Sequence, residues 1–466
     1  MLSFFPMISK RIFLPIIVII LVAFLCSMAV YVYKKQKMAG QYKEIGRIND
    51  HEFTEVISCP AKFPAGGGIE FLAWSVDKRK IRCGSKFEIS YFWKFSQKPK
   101  DKISVFVYFS KDGNIVFQND HALLGDGGDK YVWQKGKIVK ESYMVNIPPE
   151  APSGNYEVVL GLYLSDKGGR RLRLAGSRRS SVDIGEITVK QNKVPDGLKG
   201  SIVFQSDASG KNQIYVMDME SGMVKRLTSE DSDNEYPSWS PDGKQIVFCS
   251  RRDGNPEINV MDSDGGNQKR LTFYSGRDIN PSWHPDGARI IFVSDRNGAM
   301  EFYLISKEGS GLARVTDFGG RVNDMPRISP DGEKIIFTSD RSAGWQIFEI
   351  DIDGKNPRRI TPLTAGHCEG SWSHDGGKIT FDARMGMGNA DIWLMDKEGA
   401  NKQRVTSHPD LDYNPRFAPD DRKIIFCSQR DGNWEVYAID AGGCQGPVRI
   451  TYTDANEQWP DWTVKK

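Results

Sequence analysis

From residue 201 onward, apolar and polar positions alternate in runs of about six residues, and each run ends in a cluster of Gly, Asp, Asn or Pro. The clearest stretch, 237–272, reads PSWSPDGKQIVFCSRRDGNPEINVMDSDGGNQKRLT. Its opening P-x-W strand meets a P-D-G reversal, which suits a tight turn because proline presets φ and glycine accepts φ > 0. An alternating strand (245–250), an Arg- and Gly-containing loop, a third strand (258–262) ending in D-x-D-G, and a short R-L-T strand complete the unit. No amphipathic helical stretch interrupts this pattern, so the region predicts an all-β fold.

The unit recurs. Further copies begin PSWHPDGARIIFVSDRNG at Pro281, PRISPDGEKIIFTSDR at Pro326, GSWSHDGGKITFDAR at Gly370 and PRFAPDDRKIIFCSQRDGNW at Pro415. The bulky residue of each opening strand falls at Trp239, Trp283, Ile328, Trp372, Phe417 and Trp462. The spacing is about 45 residues, as for a four-stranded propeller blade. The repeat region starts at Ser201 with the second strand of a unit, SIVFQSD, and its missing first strand is supplied by Pro460-Asp461-Trp462-Thr463-Val464. Pairing of the two closes a six-bladed ring over 200–466 and removes exposed sheet edges.

The repeated P-x-W-S-P-D-G-x-x-I-x-F-x-S-x-R-x-G, with the following M-D-x-D-G and R-L-T, resembles the TolB-like propeller family. The likeness covers roughly 201–464 through all six units. It implies a six-bladed propeller in an extracytoplasmic, periplasmic setting that works by binding a protein in the cell envelope. That family carries a small α/β domain before its propeller, whereas this chain has a β-rich segment and an apolar run there.

Upstream, 69–192 predicts a second all-β unit, with strand-like runs at 87–95, 103–110, 156–164 and 182–189. The segment IPPEAPSGNYEVVLGLYL is similar to the tyrosine corner of immunoglobulin-like sandwiches, with Tyr156 as the corner residue. The run VFVYFSKDGNIVFQNDHALLG is similar to sandwich domains appended to bacterial surface-polysaccharide and glycosyltransferase proteins. Two readings of this β-sandwich stand side by side, a carbohydrate- or partner-binding module and a rigid spacer. Residues 34–68, ending PAGGG, predict a stalk. After an N-terminal tail, 1–11, the uncharged stretch 12–33, IFLPIIVIILVAFLCSMAVYVY, is long enough to cross a bilayer as a helix. The expectation is a single-pass, membrane-anchored chain with its bulk outside the cytoplasm. A signal peptide cleaved near Ser27-Met28-Ala29 is the alternative.

Charge adds little. The chain has 63 basic and 60 acidic residues and a net charge of +3, so no bulk field points to nucleic acid. Seven scattered cysteines contain no C-x-x-C, so no metal or redox motif is expected, and a Cys59–Cys83 disulfide is left open. No cofactor is expected.

The candidate binding site lies in the residues preceding each P-x-W, which the propeller topology brings to the channel mouth. Three positions before the proline (or Gly370) stand Asn234, Asp278, Asn323, His367, Asp412 and Glu457. Beside them are Glu235, Asn280, Asp324, Glu369, Tyr413 and Trp459, with Asn414 and Gln458. Alternatively, the Asn and Asp side chains among them satisfy loop backbone groups. The recurring Arg252, Arg296, Arg341, Arg384 and Arg430 are expected to pair with Glu257, Glu301, Gln346, Asp391 and Glu435 as structural clamps. No G-x-S-x-G, H-E-x-x-H or phosphate loop is present. The expected role is therefore a non-catalytic envelope scaffold binding a protein partner or a glycan. The alternative is a lyase-like, carbohydrate-active enzyme in which the mouth carboxylates and His367 do acid–base work.

Overall fold

The computed structural model describes residues 57–464, apart from 64–67, 98, 100, 124–135, 137, 193, 196, 230, 320–322, 343, 363–365, 385–388 and 444, with backbone only at 57–59 and 367. The apolar run 12–33, on which the membrane expectation rests, lies outside the described residues. Among the described residues, no helix is long and apolar enough to cross a membrane.

Two compact units emerge. The first comprises Phe87–Val145 and Tyr156–Ile187 with the described residues before Lys80. The second comprises the described residues from Thr188 onward with the short segments Lys80–Lys86 and Asn146–Asn155.

The N-terminal half is two sheets. One has the order Ile57–Phe63, Ile69–Val76, Lys86–Phe95, Ile138–Asn146. The other runs Lys80–Arg82, Ser181–Lys190, Gly154–Leu164, Ile103–Lys111, Asn114–Ala122. Alternation along Lys86–Phe95 buries Phe87 and Ile89, and Phe87 meets Phe109 of the second sheet edge-on at 5.9 Å. Tyr156, the expected corner residue, is fully buried against Phe117 at 5.5 Å. Cys83 is a free, buried thiol, so the pairing with Cys59 that the sequence left open is not formed.

The second unit is a six-bladed propeller of four-stranded antiparallel sheets. Five blades are continuous in sequence, beginning at Asn234–Trp239, Asp278–Trp283, Asn323–Ile328, Gly366–Trp372 and Asp412–Phe417. The sixth joins Ser201–Ser206 to Glu457–Thr463, with Ile202 opposite Trp462 and Ser206 opposite Glu457. Closure thus occurs where the missing first strand predicts it. Gly200, at φ +90°, begins this seam, and a Cβ there would stand 2.1 Å from the Thr463 carbonyl oxygen.

The bulky residue of each opening strand packs between blades. Trp283 lies with Val247, Ile258, Val260 and Leu271 of the preceding blade, and its indole N–H donates to the Ser238 carbonyl at 3.2 Å. Trp372 repeats the bond to Arg327 at 3.3 Å. Each wholly buried Ile or Phe in these layers contributes roughly 2 kcal/mol, so the inter-blade clusters hold the ring together.

Candidate functional site

Each inner strand contains the same irregularity. After its first two residues (three in Gly366–Trp372) the register shifts, and the next residue adopts a left-handed backbone: Tyr236, Asn280, Met325, Glu369, Asn414 and Trp459, with φ between 51° and 56°. None is glycine. Holding a bulky side chain in this region costs on the order of 1 kcal/mol, and such strain persists only where the surroundings enforce it. The bulge divides the inner strand into an upstream segment, a kinked ring and the P-x-W segment.

The upstream segment holds the fold. Asn234, Asp278, Asn323, Asp412 and Glu457 are all fully buried. Arg296 donates to both carboxylate oxygens of Asp278 at 2.8 and 2.9 Å and to Ser294 Oγ at 2.9 Å. Arg430 does the same to Asp412, at 3.0 Å, and to Ser428. Arg341 donates to Asn323 Oδ1 at 2.7 Å. Asn234 donates to Gln213, and Glu457 accepts from Ser206 at 2.7 Å and Thr453 at 2.6 Å. Burial pushes the Asp278 carboxyl up while Arg296 pulls it down. The bidentate geometry strengthens the pair and opposes that upward shift. These residues are committed to structural bonds, chiefly with side chains of their own and adjoining strands rather than with the loop backbone groups the sequence suggested. The side chain of His367 lies outside the described residues.

The expected arginine partners are also corrected. Arg296, Arg341 and Arg430 bind the first residue of the inner strand, not Glu301, Gln346 or Glu435. Those three instead fasten the outer strand: Glu257 accepts from Arg270 at 2.7 Å and from the Tyr274 N–H at 2.8 Å, and Thr272 adds a hydroxyl. Glu301 and Glu435 repeat the device on Phe318 N–H and Arg449. Arg384 leaves the pattern and donates to the Tyr413 hydroxyl at 2.9 Å. The sequence spacing put two basic–acidic sets in register, and only the tertiary fold separates them.

The kinked ring lies around the axis, where neighbouring blades join side chains in three pairs. Tyr236 and Trp459 meet edge to face at 4.8 Å. Asn280 donates to Asp324, and Asn414 donates to Glu369. Burial pushes Glu369 up to about 7, with Arg416 opposing, and pushes Asp324 up as well. Asp382, wholly buried on the adjoining strand, is pushed well above the carboxylate range by burial and by Glu369, and its Oδ1 has no hydrogen-bond partner. At this mouth the half-buried Tyr413 meets Trp434 at a tilt, with ring centroids 5.6 Å apart, and Glu235 pairs with Arg251 at 3.1 Å.

The P-x-W segment forms what the sequence reading missed. Its middle residue points to the axis, because alternation sends the proline and the tryptophan away from it. Around the ring these residues are Ser238, Ser282, Arg327, Ser371, Arg416 and Asp461. They line a cavity of about 450 Å³ at the P-D-G end, opposite the expected mouth, with Trp239, Trp283, Trp372 and Trp462 in its wall. Asp461 accepts from Ser238 Oγ at 3.0 Å and the Trp239 N–H at 2.7 Å. His374 sits at the rim and bonds Asp421 at 2.9 Å. The one available signal was that the variable x of P-x-W is Ser in three units but Arg, Arg and Asp in the others. Among the described residues, no group of three His, Cys, Asp or Glu side chains is arranged to hold a metal.

Comparison with known proteins places this architecture. The TolB beta propeller domain family matches 232–337, 274–387 and 371–466. A protein TolB homolog of Chlorobium luteolum is 40% identical over 55 residues, 12% of this chain and 13% of that protein. The Tol-Pal system protein TolB of Bordetella pertussis is 42% identical over 45 residues, 10% of each chain. The chain therefore aligns with only a small part of the length of these relatives. Among solved structures, TolB from Acinetobacter baumannii superposes with a TM-score of 0.52 at 22% identity, over 67% of this chain and 80% of that one, which is a likeness of fold. With the family's matches together spanning 232–466, just over half of the chain, on blades that close as its repeats require, this chain belongs to the TolB beta propeller domain family.

Proposed function

We propose that the chain is a non-catalytic envelope scaffold, anchored by its N-terminal apolar segment outside the cytoplasm, whose propeller binds a protein partner at the mouth preceding the P-x-W strands. One observation carries this reading: Tyr236, Met325, Tyr413, Trp434 and Trp459 are half-exposed at that mouth, four of the five on or beside strained backbone. Aromatic and methionine side chains of this kind supply the anchors of protein interfaces at low entropic cost. Glu235, Arg251 and Arg384 give the same mouth a polar rim of both signs. The Tol-Pal system to which the Bordetella relative belongs supports an envelope setting.

The test is a crosslinking pull-down from the native envelope, with the intact chain and a Tyr236→Ala/Trp459→Ala variant as baits. Loss of one specific protein in the variant is the expected result. Truncating an aromatic anchor costs about 2 kcal/mol, or roughly thirtyfold in Kd. Equal recovery by both baits would overturn the choice of mouth.

A further inference from the structure

Two guanidiniums at the floor of the P-D-G cavity are not neutralised by direct contact. Arg416 is 8% exposed and Arg327 is half-buried. Each has one described hydrogen bond, from Nη1 to the carbonyl of its own preceding proline: Arg327 to Pro326 at 3.2 Å and Arg416 to Pro415 at 2.8 Å. Among the described residues, no carboxylate oxygen lies within 4.0 Å of either. This contrasts with Arg296 and Arg430, which stand in the same propeller with bidentate carboxylates. Burial and the charge of Arg416 draw Arg327 down to about 9. A buried cation without a hydrogen-bonded counter-ion is costly, and a bound anion relieves the cost.

The charges around the cavity select the anion. Asp461, the one carboxylate in the wall, is held by Ser238 and the Trp239 N–H and offsets one of the two positive charges. Behind the arginines stand Asp324 and Glu369, each accepting from an asparagine and each acting through its charge on Arg327, and Asp382, which burial pushes well above the carboxylate range. Among the side chains that line the cavity, Arg327, Arg416 and Asp461 leave one net positive charge, which a carboxylate monoanion cancels and a phosphate dianion overshoots. Size and lining define the rest. About 450 Å³ is the scale of a small-molecule site, and the tryptophan and proline residues among its lining suit a compact apolar or cyclic body.

The geometry points to a ligand site on the P-D-G face for a small carboxylic acid anion, its carboxylate between Arg327 and Arg416 and its body against Trp239, Trp283 and Trp372. Guanidinium forks match carboxylates in shape as well as charge. The site lies at the opposite end of the channel from the proposed partner mouth and does not depend on it.

Benzoate is the first probe, with acetate, hexanoate, neutral benzamide and inorganic phosphate beside it, all at millimolar concentration on the full chain, followed by ligand-observed NMR and by thermal upshift. Benzoate and hexanoate are expected to bind at least tenfold more tightly than acetate or phosphate, with no saturation by benzamide. Arg416→Met and Arg327→Met should each weaken benzoate at least tenfold. A cooperative melt of each variant without ligand, at any Tm above the assay temperature, separates lost binding from lost fold. No binding by any carboxylate, equal binding of benzoate and benzamide, or unchanged benzoate affinity in both folded variants would overturn the assignment. Phosphate binding as tightly as benzoate would overturn the monoanion.

Discussion

The propeller buries charge in two regions, and they are built on different rules. In the outer belt the same device returns from blade to blade. A glutamate on the third strand holds the outer strand, as at Glu257, Glu301 and Glu435, and an arginine clips the start of the inner strand, as at Arg296 and Arg430. Around the axis the residue is not common to the blades: serine, serine, arginine, serine, arginine, aspartate. A charge that returns at each repeat answers a need each repeat shares, which is closing a sheet edge and satisfying buried backbone groups. A charge found in only some blades answers a need of the whole ring, and a ligand or partner on the axis is such a need.

This contrast can be broken. The largest effect belongs to the belt: Glu257→Ala leaves Arg270, Thr272 and the Tyr274 N–H without their acceptor and is expected to cost about 3–5 kcal/mol in urea unfolding. Next, Arg430→Ala strands the fully buried Asp412, at a cost of about 3 kcal/mol by the same measurement. A loss below about 1 kcal/mol in both variants would erase the distinction between belt and axis.

The axis should respond to pH instead. The folded Glu369 carboxyl is pushed up to about 7 from 4.5, so the folded state holds its proton across a window in which the unfolded chain has lost it. Stability is therefore expected to fall as pH rises from about 4.5 to 7 and to level off above. Glu369→Gln, which can still accept from Asn414, should flatten that slope and raise Tm at pH 8 but not at pH 4, as followed by thermal melts. An unchanged slope would place the titration elsewhere. Smallest of all, Ser282→Ala at the cavity wall should shift stability by no more than about 0.5 kcal/mol.

The blade count, the strand order and the seam between Ser201–Ser206 and Glu457–Thr463 were all legible, because each follows from a local signal repeated six times. The candidate site was legible only in part. Trp459, Tyr413, Glu369, Asp324 and Asn280 do gather at the ring, whereas Asp278, Asp412 and Glu457, chosen for the same polarity, are spent inside the blades. A polar residue beside a strand looks the same in sequence whether it faces an axis or a neighbouring arginine. Tyr236 and Met325 were passed over because nothing local announces a left-handed tyrosine or methionine.

The sequence by itself determined the all-β architecture and the closed ring of six, since alternation, turn chemistry and repeat length are properties of the chain read along its length. Only the tertiary structure decided which charges met. Arg327 and Arg416 are separated by 89 positions in the sequence and brought to one cavity by ring closure. Arg296, built from the same residue type, is neutralised within its own blade. Burial and distance set the free energy of a charge, and neither is written in the order of residues.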